Sequence, residues 1–282
     1  MPPRQTTTAP HTWAPAQNGV TFTLLTLVLL WTIHAVVFFA HEYAHSFTAW
    51  LLGWKANPLD LNYGHLTTGN LLVQTEIDEN VSYDPIFAAG HGWQAGLIAA
   101  AGMVLGNGLI TYPISRWGYK TARQRGSRTW AMAFYWMCVA SIGNFLDYVP
   151  VRTFSFHGDM HTLEKGFNCS PWLILLFLGI PTAIALLHFL AKFEPEALLW
   201  LFPESAARRG TLVFLTAFIL FGFYGFSGWS GSGQASHIIS VVSVCAFVPI
   251  MTINGWWITH MTAQNKSITG TVKLDRPSQK PS

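Results

Sequence analysis

The sequence predicts an all-α integral membrane protein of about six transmembrane helices. Three observations predict it. Hydrophobic residues make up 51% of the 282 residues and charged residues only 10%, against a usual charged share of about 25%. The chain holds 13 Trp and 20 Phe, which excludes disorder for its bulk. Its apolar residues fall into long runs, each bounded by Gly, Pro or charge. The three cysteines, Cys138, Cys169 and Cys245, are far apart and do not suggest a disulfide scaffold. A net charge of +3 is too small for a nucleic-acid binder, so no nucleic-acid partner is expected.

The first run, Val20 to Trp54, is 35 residues without proline. At 1.5 Å per residue it reaches roughly 50 Å, more than the ~30 Å hydrocarbon core. One long tilted or protruding helix is expected. Further runs follow at Phe87–Ser115, Thr129–Val151, Pro171–Phe193, Thr211–Trp229 and His237–Thr259. The expected organisation is a polar leader over residues 1–19, a polytopic membrane domain over 20–261, and a disordered polar tail over 262–282. The leader carries a single Arg and the first run is too long for a signal-peptide core, so a cleaved signal is not expected.

Charge predicts the orientation. The link from Arg116 to Arg128 holds Arg116, Lys120, Arg123, Arg125 and Arg128 and no acid, as cytoplasmic links do. The tail is basic as well. Both termini are then expected in the cytoplasm, with the chain crossing a membrane, a bacterial inner membrane on this reading. The link Lys55 to Ile86 falls outside and holds Asp60, Glu76, Asp78, Glu79 and Asp84. Its Leu71-Leu-Val-Gln stretch is a candidate edge for pairing with an extended peptide.

Ionisable groups inside spans are costly and point to function. The first run contains His34, His41, Glu42 and His45. Residues 41–45 read His-Glu-Tyr-Ala-His, an HExxH pattern. Positions i and i+4 share one helical face, so both imidazoles can hold one metal ion, and the Glu at i+1 can reach a metal-bound water as general base. Chance matches on soluble helices are solvated surface. Here Phe38, Phe39, Trp50 and Leu51 flank the motif, and unpartnered burial of two His and a Glu would cost several kcal/mol. His34 shares the face and reads as a neighbour of the site rather than a ligand.

Catalytic zinc sites usually have three protein ligands. The third run ends Asn144-Phe-Leu-Asp147-Tyr148-Val-Pro150, and the link after it reads His157-Gly158-Asp159-Met160-His161. Asp159 and Asp147 are therefore the candidate third ligands, in that order, and Asn144 is an auxiliary candidate. Gly158 permits a sharp turn toward the site, and His157 and His161 are candidate partners of Asp159. The metal site is expected between the first and third spans.

These residues resemble the site-2 protease family, the intramembrane zinc metalloproteases. That family has HExxH in a membrane helix, a GxxxG/N/S helix, and an Asn-rich stretch ending in an Asp ligand. Gly102-Met-Val-Leu-Gly106 followed by Asn107 looks like the middle motif, which plain packing of small residues also explains. The third motif departs from the family: Asn144, Pro150 and Asp159 keep the order over a longer span and no LDG occurs. The resemblance runs from His41 to about His161. It implies a Zn²⁺ cofactor held by His41, His45 and Asp159, Glu42 as catalytic base, Asn144 near the substrate, and a transmembrane protein substrate cut within the bilayer. It places the metal nearer the cytoplasm, whereas the charge count places it in the outer half. The sequence does not set an oligomeric state.

Two other classes compete. His41/His45 and His157/His161 both read HxxxH, as in membrane di-iron oxygenases of the desaturase kind, although no HxxHH box occurs. A non-catalytic metal-binding membrane protein, such as a transporter, is the third class. Spans four to six hold only His188, Lys192 and His237 as ionisable groups, all near their ends.

Overall fold

The computed structural model describes residues 18–274, and side chains as far as residue 263. The expected leader thus lies almost wholly outside the described residues. Among these residues the chain is helical, with one isolated bridge between Asn62 and Asp78.

Helix α1, Gly19–Leu51, is the long first helix. Asn18 caps it by accepting from the Thr21 N–H at 2.8 Å. Gly53 at φ +81° ends it: its N–H donates to Trp50 O and that of Trp54 to Ala49 O. This paired closure needs a left-handed residue, which glycine adopts without strain. Phe22, Thr26, Leu30, Ile33, Val37, His41 and His45 are buried. Their spacing of three to four makes one stripe facing the bundle, and the HExxH histidines lie on it.

The expected outer link folds into two short helices, α2, Thr68–Val73, and α3, Tyr83–Ala88. Lys55 Nζ pins the link by donating to the carbonyls of Asp60, Glu79 and Asn80 at 2.5, 2.6 and 2.9 Å. The Leu71–Val73 stretch is helical in α2, so it offers no strand edge; the expected edge pairing is corrected here. Inside a helix those main-chain groups are already bonded along the chain.

Helix α4, Gly92–Gln124, widens to π geometry over Gly102–Thr111. The expected basic link is therefore mostly the last turns of α4, followed by a tight turn. Helix α5, Arg128–Leu146, continues as a π turn over Asp147–Val151. Helix α6, Gly158–Phe167, is a short amphipathic segment packed on α4. Helices α7, Pro171–Leu201, and α8, Ala206–Phe226, follow. Helix α9 spans Gln234–Leu274. It continues past Thr262, where a disordered tail was expected; residues 275–282 lie outside the described residues.

Five helices are long and apolar enough to cross a membrane: α1, α4, α7, α8 and the Gln234–Ala263 part of α9. This fits a multi-pass membrane protein. The run Thr129–Val151, expected as a sixth span, folds as α5 but is not among the five. Tyr135, Trp136, Cys138, Val139 and Ile142 are fully buried, so α5 meets protein rather than lipid around most of its girth. A helix in that place can carry Ser141 and Asn144, both buried. The outward faces of the other helices present Leu24, Val28, Phe177, Ile184 and Trp256, as lipid-facing surfaces do.

Candidate metal centre

His41, His45 and Asp159 converge, with one ligand atom from each within 4.8 Å of the others. The two histidines come from adjacent turns of α1. Asp159 comes from the first turn of α6, which Gly158 enters at φ +74°. Helix α6 is held against α4 by backbone contact: a methyl on Gly166 would stand 2.6 Å from Gly92 O and Gly96 N. That packing carries Asp159 back beneath α1. The third group of the site is thus supplied by the short helix after α5, not by α5 itself.

The separations suit one small cation. His41 Nε2 and His45 Nε2 lie 2.9 Å apart, and Asp159 Oδ2 lies 3.7 and 3.3 Å from them. Ligands at 2.0–2.2 Å in tetrahedral array around zinc stand about 3.3–3.6 Å apart. The donor set, two nitrogens and one carboxylate, could hold a metal ion and leave a coordination position open. Each imidazole is held from behind. His45 Nδ1 lies 2.6 Å from the Ile98 carbonyl. His41 Nδ1 lies 3.1 Å from the Asn107 amide, which also donates to Asn144 Oδ1. The carbonyl contact at His45 is of the kind that orients a metal-binding histidine.

Gly102 makes the convergence possible. A methyl there would overlap the Nε2 atoms of both histidines. A methyl at Gly106 would meet Ala40 O at 2.7 Å. The Gly102–Gly106 pattern thus serves close packing of α4 on α1 and clears the space where the imidazoles meet.

Glu42 is buried and lines a cavity of 400 Å³ together with His34, His41, Asn144, Asp147 and Tyr148. Among the described residues no hydrogen bond ties down its carboxylate. Asp147 stands outside the three-residue group. Its Oδ2 accepts from Arg152 Nη2 at 2.6 Å. His34 Nδ1 lies 2.9 Å from Tyr224 OH, at the far side of the cavity. His157 Nε2 faces Gly231 O at 3.0 Å, and His161 faces Glu164 at 3.8 Å. Neither histidine joins Asp159, and they form no second cluster with the HExxH pair.

Three groups of the site went unread in the sequence. Tyr148 places its hydroxyl 2.9 Å from His41 Nε2 and stacks on that ring at 5.0 Å. Its only signal was its place beside Asp147. Glu79 and Tyr83 lie in the link over the site, where Tyr83 OH donates to Glu79 Oε1 at 2.6 Å. Burial pushes the Glu79 carboxyl above its ordinary value. Burial alone would do the same to Asp159, but the imidazoles of His45 and His41 outweigh it and hold that carboxyl well below the usual range.

No protein-family model, curated protein or solved structure matches this chain.

Proposed function

We propose that this chain is an intramembrane zinc metallopeptidase that hydrolyses peptide bonds of membrane-embedded protein substrates. The observation that carries the reading is the convergence of His41, His45 and Asp159, within 4.8 Å, beside a cavity lined by Glu42. The resemblance to the site-2 protease family in HExxH and in the Gly102–Asn107 segment points the same way.

A zinc ion held by these residues would supply a Lewis acid and an acidified water. The chain's own groups then divide the work. Glu42 takes a proton from the attacking water and passes it to the leaving nitrogen. Among the described residues its carboxylate makes no hydrogen bond, and it lies one residue from His41, as that role needs. The Tyr148 hydroxyl, 2.9 Å from His41 Nε2, is a donor beside the place where the scissile oxygen gathers charge. Asn107 and Asn144 hold the His41 ring. A transmembrane helix shields its own carbonyls, so the substrate unwinds before it is cut. With the basic end of α4 in the cytoplasm, the site opens toward the outer half of the membrane.

The test uses purified protein in lipid vesicles with a panel of tagged single-span helices. The expected result is one zinc per chain and fragments cut within the span. Cleavage stops on chelation and returns with added zinc. Iron as the native metal, or cleavage that survives complete metal removal, overturns the proposal.

A further inference from the structure

Glu194 of α7 is 1% exposed, and its neighbours Phe193, Ala197 and Leu198 belong to the main hydrophobic core. Three polar side chains from three other helices close on it. Asn254 of α9 donates to its Oε2 at 2.6 Å. Tyr135 OH of α5 lies 3.4 Å from its Oε1 and 2.6 Å from Thr216 Oγ1 of α8. Tyr135 and Thr216 are fully buried. The cluster is separate from the metal centre. Tyr135 and Asn144 both lie on α5, nine residues apart, about 14 Å at 1.5 Å per residue.

A buried carboxylate is paired with a cation or coordinates a metal ion. Among the described residues no Lys, Arg or His is paired with Glu194. Arg116 of α4 lies instead over the ring of Phe193, at 3.9 Å, and Lys192 of α7 is exposed. A proton fits the geometry poorly. The O–H of a carboxylic acid needs an acceptor within about 3.0 Å. Oε2 faces an amide that donates, and the Tyr135 oxygen is 3.4 Å from Oε1.

The helices are irregular at the same level. Helix α7 widens to π geometry over Phe189–Phe193, directly before Glu194, and Pro195 follows without an N–H. Helix α8 widens over Phe218–Phe223, just after Thr216. Pro249 interrupts α9 five residues before Asn254. Such π turns gather at functional sites, and interrupted membrane helices are where Na⁺ is coordinated.

We propose that Glu194 Oε1, Tyr135 OH and Thr216 Oγ1 form a site for one Na⁺ ion, with Asn254 holding the carboxylate in place. Three oxygens are a hard donor set and suit a hard cation. One carboxylate charge matches a monovalent ion, whereas a dication would leave unmatched charge in the core. The oxygens follow one another at 2.6 and 3.4 Å, close enough for a small ion to touch all three; the larger K⁺ needs them further apart. The ion ties α5, α7 and α8 together. The proposal does not depend on the peptidase reading.

The test is binding of radioactive sodium to full-length protein in nanodiscs, with choline chloride holding the ionic strength. The expected result is one Na⁺ per chain, displaced by unlabelled Na⁺ at least about 10-fold better than by K⁺. Glu194→Gln should bind less than about a tenth as much. Thr216→Val removes one oxygen, keeps the side-chain shape, and should bind about 3- to 10-fold more weakly. Glu196→Gln, at an exposed acid two residues on, should bind as wild type does. Na⁺ should also raise the unfolding midpoint of the wild type saturably and leave that of Glu194→Gln unmoved, because a ligand of the folded state stabilises it. If the wild type binds no Na⁺, or Glu194→Gln binds it as well as the wild type, the proposal falls. It falls too if Glu196→Gln loses as much binding as Glu194→Gln, since the ion is then held by surface charge. If Glu194→Gln does not fold, Thr216→Val decides: unchanged Na⁺ affinity there overturns the site.

Discussion

His45 Nδ1 lies 2.6 Å from the carbonyl oxygen of Ile98, and this contact decides which nitrogen the ring offers to a metal. A carbonyl only accepts, so Nδ1 carries the proton and Nε2 is left with its lone pair toward His41 and Asp159. The contact with α4 thus leaves Nε2 as the nitrogen that could meet an ion. His45→Ala and His41→Ala are each expected to lower bound zinc from one per chain to well below a tenth, because two remaining donors bind weakly. Elemental analysis of dialysed protein checks this. Zinc retained in both variants would remove the assigned centre.

Gly102→Ala tests the same centre without touching a ligand. The added methyl overlaps both Nε2 atoms, so either the imidazoles part or α4 moves off α1. The metal should bind about 10–100-fold more weakly, as for other disturbances just outside the ligands. Overpacking of this kind costs about 1–3 kcal/mol of stability. Competition titration with a coloured chelator, beside thermal unfolding, reads both. Wild-type zinc affinity in Gly102→Ala would mean that the ion sits elsewhere.

Glu42→Gln should keep the zinc and lose turnover. Glutamine has the same size, so the neighbouring ligands His41 and His45 stay in place, but its amide does not take up a proton at neutral pH. A positioned base is worth roughly 10²–10⁴-fold. The comparison is cleavage rate at equal zinc content. Cleavage within tenfold of wild type would take the general-base role away from Glu42.

How much of this was legible in the sequence depends on the range of the interaction. HExxH was legible because its geometry is local: i and i+4 share a face on any helix. Asp159 was legible only as one of two acids, since its arrival at the site depends on Gly166 packing against Gly92 and Gly96, a contact between residues 70 and 74 positions apart in the chain. Tyr148 was not legible, because a tyrosine at a helix end reads as an ordinary boundary residue until His41 is seen beside it. The third run, α5, differs from the five long apolar helices for a related reason. Hydropathy measures fitness for lipid, and α5 is surrounded by other helices. The link was read as an outer segment with a candidate pairing edge at Leu71, but Lys55 and Asn70 bond its carbonyls and fold it down.

The two aspartates give the last prediction. Among the described residues, Asp159 pairs only with the histidines it faces, at 3.3 and 3.7 Å, and no Lys or Arg is paired with its Oδ2. Asp147 is already committed, with Arg152 Nη2 at 2.6 Å and the Arg152 guanidinium lying over the Tyr148 ring at 4.3 Å. Asp159→Asn removes the negative charge that offsets a dication, and it leaves an amide oxygen, a poor ligand. Zinc affinity should fall by at least 10-fold and activity with it. Asp147→Asn should keep the zinc, since no donor of the centre is altered. Its cost falls on the fold, about 1–3 kcal/mol for a weakened buried hydrogen bond to a charged group. Zinc titration and thermal unfolding of the two variants side by side separate these outcomes. If Asp147→Asn empties the site while Asp159→Asn keeps full zinc and activity, then Asp147 is the third ligand and the placement of α6 against α1 has another purpose.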